Sequence, residues 1–181
     1  MISTTLIVGG CRSGKSRQAL ALGENCIGTR NLFVATCQPH DAEMAARIAR
    51  HQQERGRHWK TVEAPLDPDK IITDQGTDAD VLLIDCLTLW ISNLMMVHPR
   101  DEDILQAVDR LHQAVVSPPC PIILVTNEVG AGIVPENAMA RRFRDLTGWC
   151  NQRMAHACRS VIWMVAGIGV PIKPPPPFVG G

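Results

Sequence analysis

Within the stretch IVGGCRSGKS, Gly9 is followed after four residues by Gly14-Lys15-Ser16. That spacing is G-x-x-x-x-G-K-[ST], and its chemistry is phosphate binding. The glycines permit a tight turn whose backbone N–H groups point inward at phosphate oxygens. Lys15 would reach the β- and γ-phosphates of a nucleotide, and the Ser16 hydroxyl would hold Mg²⁺. The bland alternative is a chance match in a glycine-rich turn. Against it, the motif follows a strand-like run and precedes a helix-like one, the context that this chemistry requires. Asp85 closes the apolar run VLLID. A carboxylate there is the usual second half of a nucleotide–Mg²⁺ site, although alone it reads equally as the cap of the next turn.

Two further segments carry reactive or polar groups. His51 lies in DAEMAARIARHQQER, residues 41–55, three residues after Ile48 and seven after Met44. On a helix that spacing sets it at the edge of an apolar stripe. A neutral imidazole could attack phosphorus and form a phosphoramidate. Spacing alone favours the plainer reading, a half-buried surface histidine. Arg47, Arg50, Arg55 and Arg57 crowd the same region and read either as phosphate ligands or as a solvated basic face. The second segment is TNEVGAGIVPEN, residues 126–137. It follows a strand, where loops at the carboxyl ends of parallel strands form ligand crevices. Gly130 and Gly132 suit close approach, and Asn127 and Glu128 are polar at its entrance; an ordinary connection is the alternative. The other histidines show no metal-ligand spacing.

These residues need a scaffold, and the apolar runs describe one. Thr4–Val8, Asn31–Thr36, Val81–Asp85, Pro121–Asn127 and Ser160–Val165 are continuous rather than alternating, which predicts parallel strands buried on both faces. Trp59–Ala64 alternates and predicts a further short strand. Ser16–Leu22, Asp41–Arg55, Asp103–Val115 and Glu136–Cys158 read as helices between them, so the expected class is a doubly wound α/β fold. The segment GIGVPIKPPPPFVGG contains four consecutive prolines and reads as an extended or disordered appendage. The expected organisation is one domain, 1–173, with a tail at 174–181.

Composition narrows the classes. Lys+Arg and Asp+Glu both number 18, so no strong basic field marks a nucleic-acid partner. No apolar run approaches the roughly 18 residues needed to span a bilayer. The chain starts on strand-like TTLIV without a basic leader, and the expected location is the cytoplasm. Seven cysteines form no C-x-x-C pair, which argues against a disulfide framework and a structural zinc site. Most read as small buried hydrophobes, while Cys11, inside the phosphate loop, reads as a reactive candidate. Tyrosine is absent.

GGCRSGKSR, FVATCQPHDAEMAARIARHQQERGRHWKTVEAP and VTNEVGAGIVPENAMARRFRDLTGWCNQRMA together resemble the bifunctional adenosylcobinamide kinase / adenosylcobinamide-phosphate guanylyltransferase family of cobalamin biosynthesis. The resemblance runs from about Ile2 to Ile172. It implies a RecA-like phosphate-loop fold with a mainly parallel sheet flanked by helices. It also implies two reactions. ATP or GTP phosphorylates the aminopropanol hydroxyl of adenosylcobinamide, and GTP then donates GMP to that phosphate through a GMP–histidine intermediate. The histidine that matches is His51. The implied nucleotide-binding residues are Gly9, Gly10, Cys11, Arg12, Ser13, Gly14, Lys15, Ser16, Val34, Ala35, Thr36, Gln52, Gln53, Glu54, Arg55, Glu63 and Asp85, with Mg²⁺ at Ser16 and Asp85. Glu63 or Asp85 could orient His51. The family implies a homo-oligomer, with a trimer expected. Arg50 stands where some relatives carry a second histidine, and nothing beyond Lys173 matches. Guanylyl transfer without the kinase step, or a nucleotide-gated binding protein, are the competing readings.

Overall fold

The computed structural model describes residues 2–26, 28–37 and 58–173. His51, the expected helix Asp41–Arg55, and the tail 174–181 lie outside them. Strand β1 (Thr4–Gly9) leads through the phosphate loop to helix α1 (Lys15–Glu24). Next come β2 (Asn31–Ala35) and β3 (Trp59–Glu63), then α2 (Pro68–Gln75), which ends in a 3₁₀ turn, Gly76–Asp78. They are followed by β4 (Val81–Asp85), α3 (Leu87–Val97), α4 (Asp101–Val116) and β5 (Ile122–Asn127). Helix α5 (Ala138–Ala157) and the strands β6 (Ser160–Val165) and β7 (Ile168–Lys173) complete the order.

The seven strands form one sheet in the order β3-β2-β4-β5-β1-β6-β7. All neighbours are parallel except β6 and β7, which form an antiparallel hairpin. Alternate residues feed two cores, as strands buried on both faces require. Leu6, Leu82, Ile84 and Leu124 meet Trp90 and Ile91 of α3, Leu111 of α4 and Cys150 and Met154 of α5. Ile7, Leu83, Ile123 and Val125 face the other way, onto Ala19 of α1. Helix α1 approaches closely because Gly23 lacks a side chain: a Cβ there would stand 2.6 Å from the Trp59 ring.

The five expected long strands and the short one at Trp59 form within a residue of their expected ends. The expected helices at 16–22, 103–115 and 136–158 form as α1, α4 and α5. Pro68 opens α2 in the first turn, where its missing N–H costs nothing. Asp101, Glu102 and Asp103 complement the positive end of α4, and Asn137 caps α5 by accepting from Ala140 N at 3.1 Å.

One expectation is corrected. Residues 168–173 do not belong to an extended appendage; they pair with β6 as β7. Pro171 is compatible with this because β7 is an edge strand, where an N–H is not needed on the outer side. Lys173 Nζ, at its end, donates to the carbonyls of Ala155 and His156, both at 3.0 Å, and of Cys158, closing the carboxyl end of α5.

Candidate nucleotide site

The phosphate loop leaves β1 at the carboxyl edge of the sheet, and its neighbours leave it little freedom. A Cβ on Gly9 would stand 2.5 Å from the Met164 carbonyl oxygen and 2.8 Å from Ser13 Oγ, so only glycine lets β1 pack here. Gly14 turns the chain at φ 94°, a conformation that costs a side chain dearly. The β6–β7 turn buttresses the loop: Gly167 N donates to the Ser13 carbonyl at 3.1 Å. Glu128 N, just past β5, donates to the Gly9 carbonyl at 3.1 Å. No side chain caps the first turn of α1, so its N–H groups and positive dipole end serve the loop.

Lys15 opens α1 and is 7% exposed. Its ammonium donates to the Gly10 carbonyl and to Ser13 Oγ, the latter at 3.3 Å. Burial pushes its pKa below the ordinary lysine value, against the opposing pull of Cys86, Asp85 and Cys11. Ser16 Oγ donates to Asp85 Oδ2 at 2.9 Å, joining the two residues expected to hold Mg²⁺. A hydroxyl and a carboxylate in contact are hard oxygen donors. Mg²⁺ is ordinarily held by one or two such protein groups, with water and phosphate oxygens completing its shell, so this donor set fits. Among the described residues no group of three His, Cys, Asp or Glu could hold a metal ion.

The remaining expected residues divide by face. Glu63, Ala35 and Asp85 are register partners across β3, β2 and β4 and form one row on the α1 side. At about 4.8 Å per strand, the exposed Glu63 stands about 10 Å from Asp85 at the Cα level. Val34 packs into the opposite core, so only its backbone shares this row. Thr36 is fully buried, and its groups are used in stapling β2 to β4. Its Oγ1 donates to the Cys86 carbonyl at 2.8 Å and accepts from Cys86 N at 2.9 Å, and its N donates to the Asp85 carbonyl at 3.3 Å. His51, Gln52, Gln53, Glu54 and Arg55 lie outside the described residues.

Sequence reasoning missed two polar networks that hold this edge. Asn93, buried in α3, donates from Nδ2 to the Thr36 carbonyl at 2.7 Å and the Pro65 carbonyl at 3.0 Å. Thr126 Oγ1 donates to Asn151 Oδ1 at 2.7 Å and meets Thr88 Oγ1 at 3.3 Å; the same two neighbours hold the backbone of Asn127. The available signal was Thr88 and Asn93 in the apolar stretch LTLWISNLMMV, since buried polar groups need partners. Beyond Asn127, Glu128 Oε1 accepts from Gly130 N at 2.6 Å, and Arg144 donates to the carbonyls of Gly130 and Ile133 at 2.7 and 2.9 Å. These contacts pin the loop expected to line the crevice.

The seven cysteines carry no disulfide. Cys86, Cys120, Cys150 and Cys158 are buried, whereas Cys11 is exposed in the phosphate loop. Burial pushes the Cys86, Cys150 and Cys158 thiols up to about 12.

Comparison with known proteins accords with this geometry. The chain is similar in fold to the flagellar accessory protein FlaH from Methanocaldococcus jannaschii, with a TM-score of 0.50 and 13% identity over 96% of this chain and 79% of that one. It is also similar to a KaiC-like protein from Pyrococcus horikoshii OT3, with a TM-score of 0.50 and 17% identity over 89% of this chain and 71% of that one. At these identities the likeness concerns the fold alone, which is RecA-like. In sequence, the chain is 42% identical to the bifunctional adenosylcobalamin biosynthesis protein CobU of Escherichia coli K12, over 93% of this chain and 98% of that protein. It is 40% identical to the bifunctional adenosylcobalamin biosynthesis protein CobP of Pseudomonas aeruginosa, over 94% of this chain and 98% of that protein. The sequence pattern described as cobinamide kinase / cobinamide phosphate guanyltransferase matches residues 5–172. With its phosphate loop, its Ser16–Asp85 pair and this match along nearly its whole length, the chain belongs to the cobinamide kinase / cobinamide phosphate guanyltransferase family.

Proposed function

We propose that this chain carries both activities for which its family is described, with adenosylcobinamide as substrate. In the first, the aminopropanol hydroxyl attacks the γ-phosphorus of ATP or GTP, giving adenosylcobinamide phosphate and a nucleoside diphosphate. In the second, an imidazole nitrogen of His51 attacks the α-phosphorus of GTP. A P–N bond forms, the P–O bond to pyrophosphate breaks, and pyrophosphate leaves. A phosphate oxygen of adenosylcobinamide phosphate then attacks the same phosphorus, breaking the P–N bond to give adenosylcobinamide-GDP and free His51. Two displacements through a covalent intermediate replace one difficult transfer.

The observation that carries this reading is the contact between Ser16 and Asp85 beside the buried Lys15, a grip built for a triphosphate. Lys15, the loop N–H groups and the start of α1 hold and neutralise the phosphate chain. Ser16 and Asp85 would hold Mg²⁺, which when bound draws charge from the phosphate oxygens. Gly9 to Ser16 with Asp85 form the described part of the nucleotide site; Ala35, Thr36 and Glu63 border it, and Gln52 to Arg55 complete it in this reading.

The chain is expected to work as a homo-oligomer, with no nucleic-acid partner, in the cytoplasm. Its balanced charge supports the second point. Among the described residues no helix is long and apolar enough to cross a membrane.

Incubation with GTP labelled at the α-phosphorus, followed by denaturation, tests the central step. Acid-labile label on the wild type and none on His51→Ala is the expected result. A wild type that binds GTP yet takes up no label would overturn the transferase reading.

A further inference from the structure

Asn127, the last residue of β5, is placed, aimed and held as a ligand contact would be. Its position follows from two registers. Asn127 pairs with Gly9, the residue at which the phosphate loop begins, and Val125 pairs with Asp85. With strands about 4.8 Å apart and a rise of about 3.3 Å per residue, its Cα stands about 5 Å from Gly9 and about 8 Å from Asp85.

Its direction follows from the pleat. Ile123 and Val125 pack into the core on the α1 face, so Asn127, two residues on, projects to the same face. Val81 and Leu83 give Asp85 the same direction. Lys15 and Ser16 belong to α1, so the carboxamide shares a side of the sheet with both and stands between the strands that carry the loop and the carboxylate.

The backbone of Asn127 is held from both sides. Its N–H donates to Thr88 Oγ1 at 2.8 Å, and its carbonyl accepts from Asn151 Nδ2 at 3.1 Å. The carboxamide makes no hydrogen bond among the described residues. A fixed backbone with an unspent polar side chain is how a site presents a donor at little entropic cost.

We propose that the Asn127 carboxamide donates a hydrogen bond to the terminal phosphate of the triphosphate held by residues 9–16, and so lets the site tell a triphosphate from a diphosphate. The contact rests on the reading of that loop as a triphosphate site. It is a neutral donor to a charged oxygen, the stronger class of hydrogen bond.

Calorimetric titration of wild type and Asn127→Ala with GTP, GDP, ATP and ADP in the presence of Mg²⁺ tests it. The variant is expected to lose triphosphate affinity by about 10-fold or more, the usual range for a hydrogen bond to a charged group. Diphosphate affinity should change by less than about 2-fold. Asn127→Asp, nearly isosteric, should lose at least as much, since a carboxylate repels the phosphate; it also serves if the alanine variant does not fold. A folded variant that binds triphosphate as tightly as wild type overturns the contact alone. Wild type that binds no triphosphate overturns the loop reading, and this contact with it.

Discussion

Lys15 is buried by the loop that it serves, and its titration reports on that burial. Desolvation lowers its pKa from the ordinary value of 10.5. The sign is set by which state holds the proton. Bound phosphates add negative charge and favour the ammonium, so triphosphate binding takes up a proton wherever the free site has begun to lose it. Triphosphate affinity should therefore fall with rising pH, beginning below 10.5. Lys15→Arg should flatten that fall, since guanidinium stays charged. Lys15→Ala should weaken binding by about 10- to 100-fold across the range, the usual effect of losing a hydrogen bond to a charged group. Nucleotide affinities measured between pH 7 and 10 decide this; a flat wild-type profile would contradict it. Lys15 and Ser16 stood out in the sequence because the spacing of their motif is itself the chemistry, and Asp85 because it closes an apolar run; the fold brings the three together. Thr36 was legible only by resemblance, and what its hydroxyl does, bonding both ways to the Cys86 peptide, belongs to tertiary structure.

At the scale of elements, β2 and β4 must end together for Ala35 and Asp85 to share a row, and Asn93 of α3 helps to hold them there. Its carboxamide ties the Thr36 carbonyl to the Pro65 carbonyl in a buried setting. Asn93→Ala removes two donors and leaves two carbonyls short of partners, which should cost about 1–3 kcal/mol. For a chain of this size that is a fall in Tm of several degrees. Urea unfolding of the variant checks the figure, and an unchanged midpoint would mean the clamp is idle. The same helix shows why elements escaped the sequence reading. Leu87–Val97 is apolar on nearly every side, so it offers no stripe of period 3.6 to read. Helix α2 is short, eight residues, and β7 carries a proline that reads as a strand breaker until its edge position is known. The parallel strands were legible because burial on both faces leaves an unbroken apolar run.

At the scale of the molecule, the sheet order could not be read from the chain order. Strand β5 stands between β1 and β4, and that insertion brings Asn127 to the phosphate loop. The other consequence lies at the far edge. Trp163, Val165, Ile168, Val170 and Ile172 of the β6–β7 hairpin are all at least 43% exposed. Trp163 pairs with Val170 and Val165 with Ile168, so these four share one face, and the exposed Ile172 follows at the β-bulge beside them. A contiguous apolar face of this kind marks an interaction surface. Its expected occupant is a second copy of this chain, and a trimer is the form that the family resemblance leads one to expect. Light scattering on the eluting peak should give about three times the 19.8 kDa chain mass. Val170→Lys sets an ammonium in the middle of the face and should shift the mass toward one chain; Ile168→Lys, nearer the turn, repeats the test with less risk to the strand pairing. Trimers that persist in both variants would move the interface elsewhere. A wild type of one chain mass at micromolar concentration would contradict the assembly itself.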